Sequence, residues 1–171
     1  GDDIEYECDF GDGSAKVSGE GDSSSTTHTY IQNGNYSVTL SIKDEHRGYA
    51  PDTIINFTVS NLPPEVMDIA FTGDLIEGSE VSFSADSSDQ GAEDTLSYSW
   101  NFGDGSENVT QINPSHTYGD DGTYTVTLEV CDDDEGCTTT SSDFIISNIP
   151  PTIDGMQMED PQDTGFQRDN Y

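Results

Sequence analysis

Three stretches of this chain gather side-chain oxygens densely enough to ligate a metal ion: Asn61, the loop carrying Asp86 and Asp89, and the run Asp132-Asp133-Asp134-Glu135. Carboxylate and amide oxygens are hard donors, and a cation that takes about six to eight of them is calcium. The spacing is not that of an EF-hand loop, so the ligands have to come from separate segments. The ligand set expected from sequence is Asn61, Asp86, Asp89, Asp132 and Asp134. The competing reading is that these acids form a solvated surface of halophilic or marine type.

Other chemistry is poorly supported. Three Cys and three His show no paired ligand spacing for zinc. No Gly-x-Ser-x-Gly, His-Glu-x-x-His or P-loop string occurs. Acidic pairs at glycosidase spacing carry no weight in a chain with 35 Asp plus Glu, because some pair always falls there. The expectation is therefore a protein without catalytic activity. His46 falls in a charged loop and reads as solvated. Asn-x-Ser/Thr triplets occur at Asn35, Asn56 and Asn108. Asn108 is the one expected to be accessible for glycosylation.

Charge narrows the partners. Four Lys plus Arg against 35 acids give a formal net charge of -31. Such a polyanion repels nucleic-acid phosphates and anionic lipid surfaces. Its own repulsion opposes compaction unless salt or bound cations screen it. Disorder would be the default for so charged a chain, but eight Tyr, seven Phe and one Trp argue against it. No apolar run approaches the roughly 18 residues of a membrane span, and no signal peptide is visible at Gly1.

The elements that must position these residues repeat. Tyr6-Glu7-Cys8-Asp9-Phe10-Gly11-Asp12-Gly13-Ser14 matches Tyr98-Ser99-Trp100-Asn101-Phe102-Gly103-Asp104-Gly105-Ser106. His28-Thr29-Tyr30 matches His116-Thr117-Tyr118, an offset of 88; Asn61-Leu62-Pro63-Pro64 matches Asn148-Ile149-Pro150-Pro151, an offset of 87. With Gly34-Asn35-Tyr36-Ser37-Val38-Thr39-Leu40 matching Gly122-Thr123-Tyr124-Thr125-Val126-Thr127-Leu128, and Asp44 and Gly48 matching Asp132 and Gly136, five anchors in one order mark two copies of a unit. Val126, Leu128 and Val130 alternate with Thr127, Glu129 and Cys131, the period of a half-buried strand, and Val38, Leu40 and Ile42 repeat it. Gly-Asp-Gly triplets mark tight turns. Because His28 and His116 recur with their frame, both read as structural, each ring bonding backbone or Asp near its Gly-Asp-Gly turn. Cys131 and Cys137 flank the turn Asp132 to Gly136 and lie off the core-facing register. They are expected to form a disulfide across the hairpin, which fits an oxidising compartment. Cys8 is expected to be a buried free thiol.

The string Tyr-x-Trp-Asn-Phe-Gly-Asp-Gly, then His-Thr-Tyr, then Gly-x-Tyr-x-Val-Thr-Leu-x-Val-x-Asp, resembles the signature of PKD (polycystic kidney disease) domains. The resemblance covers nearly the whole chain and implies an all-β protein of tandem immunoglobulin-like sandwiches. The implied division is a first domain over residues 1–60 lacking its first two strands, a complete domain over 61–148, and the start of a third repeat over 149–171. In that topology the three oxygen-rich segments meet at one pole, and PKD domains of secreted collagenases are similar in holding calcium near the linker. Cys8, where the second copy has Trp100, departs from the pattern.

The resemblance implies an extracellular or cell-surface spacer or adhesive module, with neighbouring copies, surface glycans or extracellular polymers as partners. The alternative is an accessory polymer-binding domain of a secreted hydrolase, which needs exposed, coplanar aromatics; Tyr49 is one of few expected to be exposed. The segment from Asn148 to Tyr171 aligns with 61–84, with Ile153, Met156 and Met158 on the apolar side of a first strand. It reads either as a strand donated to the first domain of a neighbouring molecule or as the continuation of a longer tandem array.

Overall fold

The computed structural model describes residues 4–21, 25–44, 48, 50–91, 93–152 and 155, and they are all-β. In the first copy the strands are β1 (Ile4–Asp9), β2 (Val17–Glu20), β3 (Gly34–Asp44) and β4 (Thr53–Val59). In the second they are β5 (Glu65–Val66), β6 (Ala70–Thr72), β7 (Glu80–Ser84), β8 (Ser87–Ser88), β9 (Ser97–Asn101), β10 (Ser115–Thr117), β11 (Gly122–Cys131) and β12 (Cys137–Ile146). Residues 46, 49, 153, 154 and 156–171, on which several sequence expectations rest, lie outside the described set.

The second copy is an immunoglobulin-like sandwich. One layer runs β12-β11-β9 and the other contains β10-β7-β6, with the short pair β5-β8 beside them. The long β11–β12 hairpin is antiparallel from Gly122↔Ile146 to Cys131↔Cys137. Its alternation turns Val126, Leu128 and Val130 inward at 0% exposure, where they meet Val81, Phe83, Trp100 and Phe102. Thr127 and Glu129, on the other side of the pleat, face outward, as period-two geometry requires.

The first copy keeps only one of these layers among the described residues, a sheet of order β2-β1-β3-β4. Its register is that of the second copy: Cys8 opposes Leu40 as Trp100 opposes Leu128. Cys8 is a buried free thiol. Val38, Leu40 and Ile42, which the repeat places at core positions, are only half-buried. The sequence pattern fixes which face they occupy, but no described strand lies across that face.

Both Gly-Asp-Gly turns need their first glycine for two reasons. Gly11 and Gly103 each have φ near +77°, and a Cβ there would sit 2.5 Å from the carbonyl oxygen of Ser37 or Thr125. A side chain would meet both backbone strain and a steric clash.

Candidate cation site at the linker pole

The β11–β12 hairpin closes over Asp132. The Asp132 amide donates to the Gly136 carbonyl at 2.9 Å. Its carboxylate accepts from the amides of Gly136 (2.7 Å) and Asp134 (2.9 Å) on Oδ1, and from Asn61 Nδ2 (2.7 Å) on Oδ2. Asn61 comes from the linker between the copies, so one carboxylate ties the linker to the hairpin. Gly136 permits the approach, because a Cβ there would lie 3.0 Å from the Pro63 Cα. Asp132 is 6% exposed. The Asn61 hydrogen bond and, after it, the Gly136 and Asp134 amides outweigh desolvation and hold its carboxyl below the usual range.

Two more acids converge here. Asp89 uses Oδ1 to accept from the Gly91 amide at 2.8 Å. Its Oδ2 is buried without a hydrogen-bond partner among the described residues. Asp94 accepts from Gln32 Nε2 of the first copy at 2.8 Å. Carboxylate oxygens of Asp89, Asp94 and Asp132 lie within 4.8 Å of one another, and so do those of Asp94, Asp133 and Asp134. The Gln32 bond pulls the Asp94 carboxyl down. Desolvation and the charges of Asp89, Asp133 and Asp134 outweigh it, and the pKa is raised. A narrow cleft of about 180 Å³ runs beside this pole between the copies, lined in part by Tyr30, Gln32, Asn61 and Asp94.

The structure thus brings together Asn61, Asp89, Asp132 and, at the rim, Asp134. Asp86, the other expected ligand, is exposed and belongs to neither acidic group. Its backbone carbonyl accepts from the Met67 amide as the strand turns away. Asp94 was missed. Its signal lay in the register: Ser97 opposes Cys131, so residues just before Ser97 have to neighbour the hairpin tip. The donors at the inner group are all oxygen, and a buried carboxylate oxygen lacks a partner. That set fits a hard divalent cation and suits no thiophilic one.

The remaining candidates resolve structurally. Cys131 and Cys137 are joined by a disulfide with Cα atoms 4.1 Å apart, so their sulfurs are not free to ligate beside Glu129. Asn108 is exposed, with its amide engaged by Asn101 and Ser99 at 3.1 Å each. Glu77, Asp120 and Asp121 cluster at the opposite end of β11 on the solvated surface. An open groove of about 790 Å³ on the first copy contains Glu5 and Glu7, which pair with Lys43 (2.6 Å) and Lys16 (2.9 Å).

The two histidines do the same work twice. His28 Nε2 lies 2.6 Å from Asp12 and His116 Nε2 lies 2.7 Å from Asp104. Each ring stacks on the phenylalanine before its turn, with centroids 4.0 Å apart at Phe10 and 4.1 Å at Phe102. The following tyrosines donate to the carbonyls of Phe10 and Phe102. At Asp104, desolvation pushes the pKa up, but hydrogen bonds from Ser106 and His116 win and bring it to about 2. A depressed folded-state pKa contributes stability that is present above the unfolded value of about 4 and is lost as pH falls through the folded value. Protonating the surplus acids meanwhile relieves repulsion. The melting temperature is therefore expected to rise from pH 7 to about 5 and fall below about 4. Asp104→Asn should flatten the acid limb; an unchanged limb in that variant would remove Asp104 as its cause.

The family comparison agrees with this architecture. Residues 1–59 and 61–146 each match the family described as PKD domain. Collagenase ColA of Bacillus cereus is 46% identical over 57 residues, 33% of this chain and 6% of the collagenase. A microbial collagenase of Vibrio alginolyticus is 36% identical over 109 residues, 64% of this chain and 12% of that protein. The chain therefore corresponds to a small part of either relative. Among solved structures, the PKD1 domain of Vibrio anguillarum Epp is 30% identical with a TM-score of 0.44, and the match covers 53% of this chain and 100% of that one. Since the family matches run through both repeats and take in the turns, the histidine pairs and the long hairpins, the chain belongs to the PKD domain family.

Proposed function

We propose that this chain is a non-catalytic extracellular spacer module whose repeats are stiffened at their linker by a calcium ion. The observation that carries the reading is the buried, partnerless Oδ2 of Asp89 beside Asp94 and Asp132. Burying a charged oxygen without compensation is costly, and a bound cation supplies the compensation. Asp89, Asp94 and Asp132 would hold the ion, with Asp133 and Asp134 adding negative charge at the rim. Asn61 and Gln32 connect the site to the linker and to the first copy. The bound ion would supply positive charge and cross-linking, not reaction chemistry. The hairpin disulfide favours an oxidising, extracellular setting.

The test is thermal unfolding at moderate salt with calcium and with excess chelator. At about 100 times Kd a ligand adds roughly 2.7 kcal/mol. For a domain of this size that corresponds to a rise of about 10 °C or more. The rise should vanish in Asp89→Ala. A melting temperature indifferent to chelation would overturn the reading.

The collagenase matches favour a second reading, an accessory domain of a secreted hydrolase. Retention of the chain on collagen, chitin or cellulose would support it.

A further inference from the structure

We propose that the Cys131–Cys137 disulfide is a redox switch that sets the calcium affinity of the linker pole, given the ion proposed above at Asp89, Asp94 and Asp132. The bridge joins the last pair of the β11–β12 ladder, Cys131↔Cys137, and so closes the hairpin tip from Asp132 to Gly136. That tip supplies the inner acid Asp132 and the rim acids Asp133 and Asp134.

The turn itself does not need the bridge. In the first copy Lys43 and Tyr49 stand at the cysteine positions. The Asp44 amide still donates to the Gly48 carbonyl at 3.1 Å, and Asp44 Oδ1 accepts from the Gly48 amide at 2.7 Å. Asp132 makes the same two bonds with Gly136, at 2.9 and 2.7 Å. The bridge instead constrains the residues between. Asp132, Asp133, Asp134 and Glu135 are consecutive acids whose charges repel. Glu135 is held at φ +69°, a backbone region that residues with a Cβ rarely adopt. A tip without the cross-link escapes both penalties by opening outward, and an arriving ion has to reverse that opening. The cross-link removes the open conformers beforehand, so the bridged tip binds with less ordering left to do.

The bridge is within reach of reductants. Cys137 is exposed and Cys131 half-buried, so a dithiol meets the Cys137 sulfur first. Its thiolate attacks Cys137 Sγ, a mixed disulfide forms, and Cys131 leaves as a thiolate that takes up a proton. The second thiol of the reductant then attacks the mixed disulfide. Cys137 leaves and is protonated, and the reductant closes into a cyclic disulfide. Two electrons and two protons pass to the protein. Binding and redox state are linked reciprocally: an ion that prefers the bridged form makes the bridge harder to reduce by the same factor. In a reducing compartment the pole is then a weak site, and it reaches full affinity where the two sulfurs are oxidised.

The test is calorimetric titration of the 171-residue chain with calcium at moderate salt. Three forms are compared: oxidised, reduced with dithiothreitol, and the double variant Cys131→Ser/Cys137→Ser. Fluorescence of Trp100, buried in the second copy, checks that each form is folded. The oxidised chain should bind about tenfold more tightly than either of the others, toward the low end of the usual coupling range. In the reciprocal arm, saturating calcium should lower the reduction potential of the bridge by about 30 mV, the equivalent of tenfold for a two-electron couple. Asp89→Ala should abolish that shift. Equal calcium affinities in the oxidised and reduced chains would overturn the switch and leave the ion in place. A weaker double variant whose parent shows a calcium-insensitive reduction potential would overturn it too, assigning the loss to the serines. Calcium binding by none of the three forms would overturn the ion itself, and the switch with it.

Discussion

Phe83→Ala is expected to lower the stability of the second copy by about 3–5 kcal/mol, the usual range for deleting a buried phenylalanine. Phe83 is 1% exposed and its ring lies against three others, 5.2 Å from Phe102, 5.4 Å from Phe144 and 6.3 Å from Trp100. Phe83 sits in the β10-β7-β6 layer and these rings come from the β12-β11-β9 side facing it, so it fills the space between the layers and little collapse into the vacated space is available. A domain's whole stability is about 5–15 kcal/mol. At about 4–8 °C per kcal/mol the melting temperature should fall by roughly 12 °C or more. The readout is specific, because Trp100 is the chain's one tryptophan and reports on the second copy alone. A shift in tryptophan fluorescence melting below about 4 °C would show that the two layers are not cemented at Phe83.

The fold was legible for a physical reason. Two copies of one pattern fix register twice, and the alternation of Val126, Leu128 and Val130 permits a single inward face. Coverage of that face was legible only from the repeat alignment, which gives residues 1–60 no counterpart of the first two strands. Alternation alone does not report it: Val38, Leu40 and Ile42 carry the same pattern as their buried counterparts and are half-buried. At the cation pole, the residues on either side of the hairpin were readable because turn residues cannot stray from their strands. Asp86 and Asp94 were not, since the paths of the connections on either side of β8 decide which carboxylates turn inward. The β8–β9 loop swings Asp94 back toward Gln32 and Asp132, and the β7–β8 connection leaves Asp86 in solvent. The His–Asp pairs lay between these cases: recurrence marked them as structural, and the structure supplied the stacking that explains why an imidazole is used.

Asp94→Asn should change stability in opposite directions with and without calcium. The Asp94 carboxyl has a raised pKa because desolvation and the charges of Asp89, Asp133 and Asp134 outweigh the bond from Gln32. For a carboxylate with a folded-state pKa above the unfolded one, the associated stability is present below the unfolded value and is lost as pH rises through the folded value. At neutral pH with the cation removed, ionised Asp94 is thus a net cost to the fold. Asparagine removes the charge while its Oδ1 can still accept from Gln32 Nε2, so the variant should melt above the parent chain in chelator. In saturating calcium the order should invert, because the variant has lost a charged oxygen at the ion. Thermal melts of both proteins in both conditions, at pH 7 and moderate salt, decide the matter. A variant that melts lower in both conditions would make Asp94 a purely structural acceptor for Gln32. One that melts higher in both would show that the pole is a strained acidic cluster with no ion to relieve it.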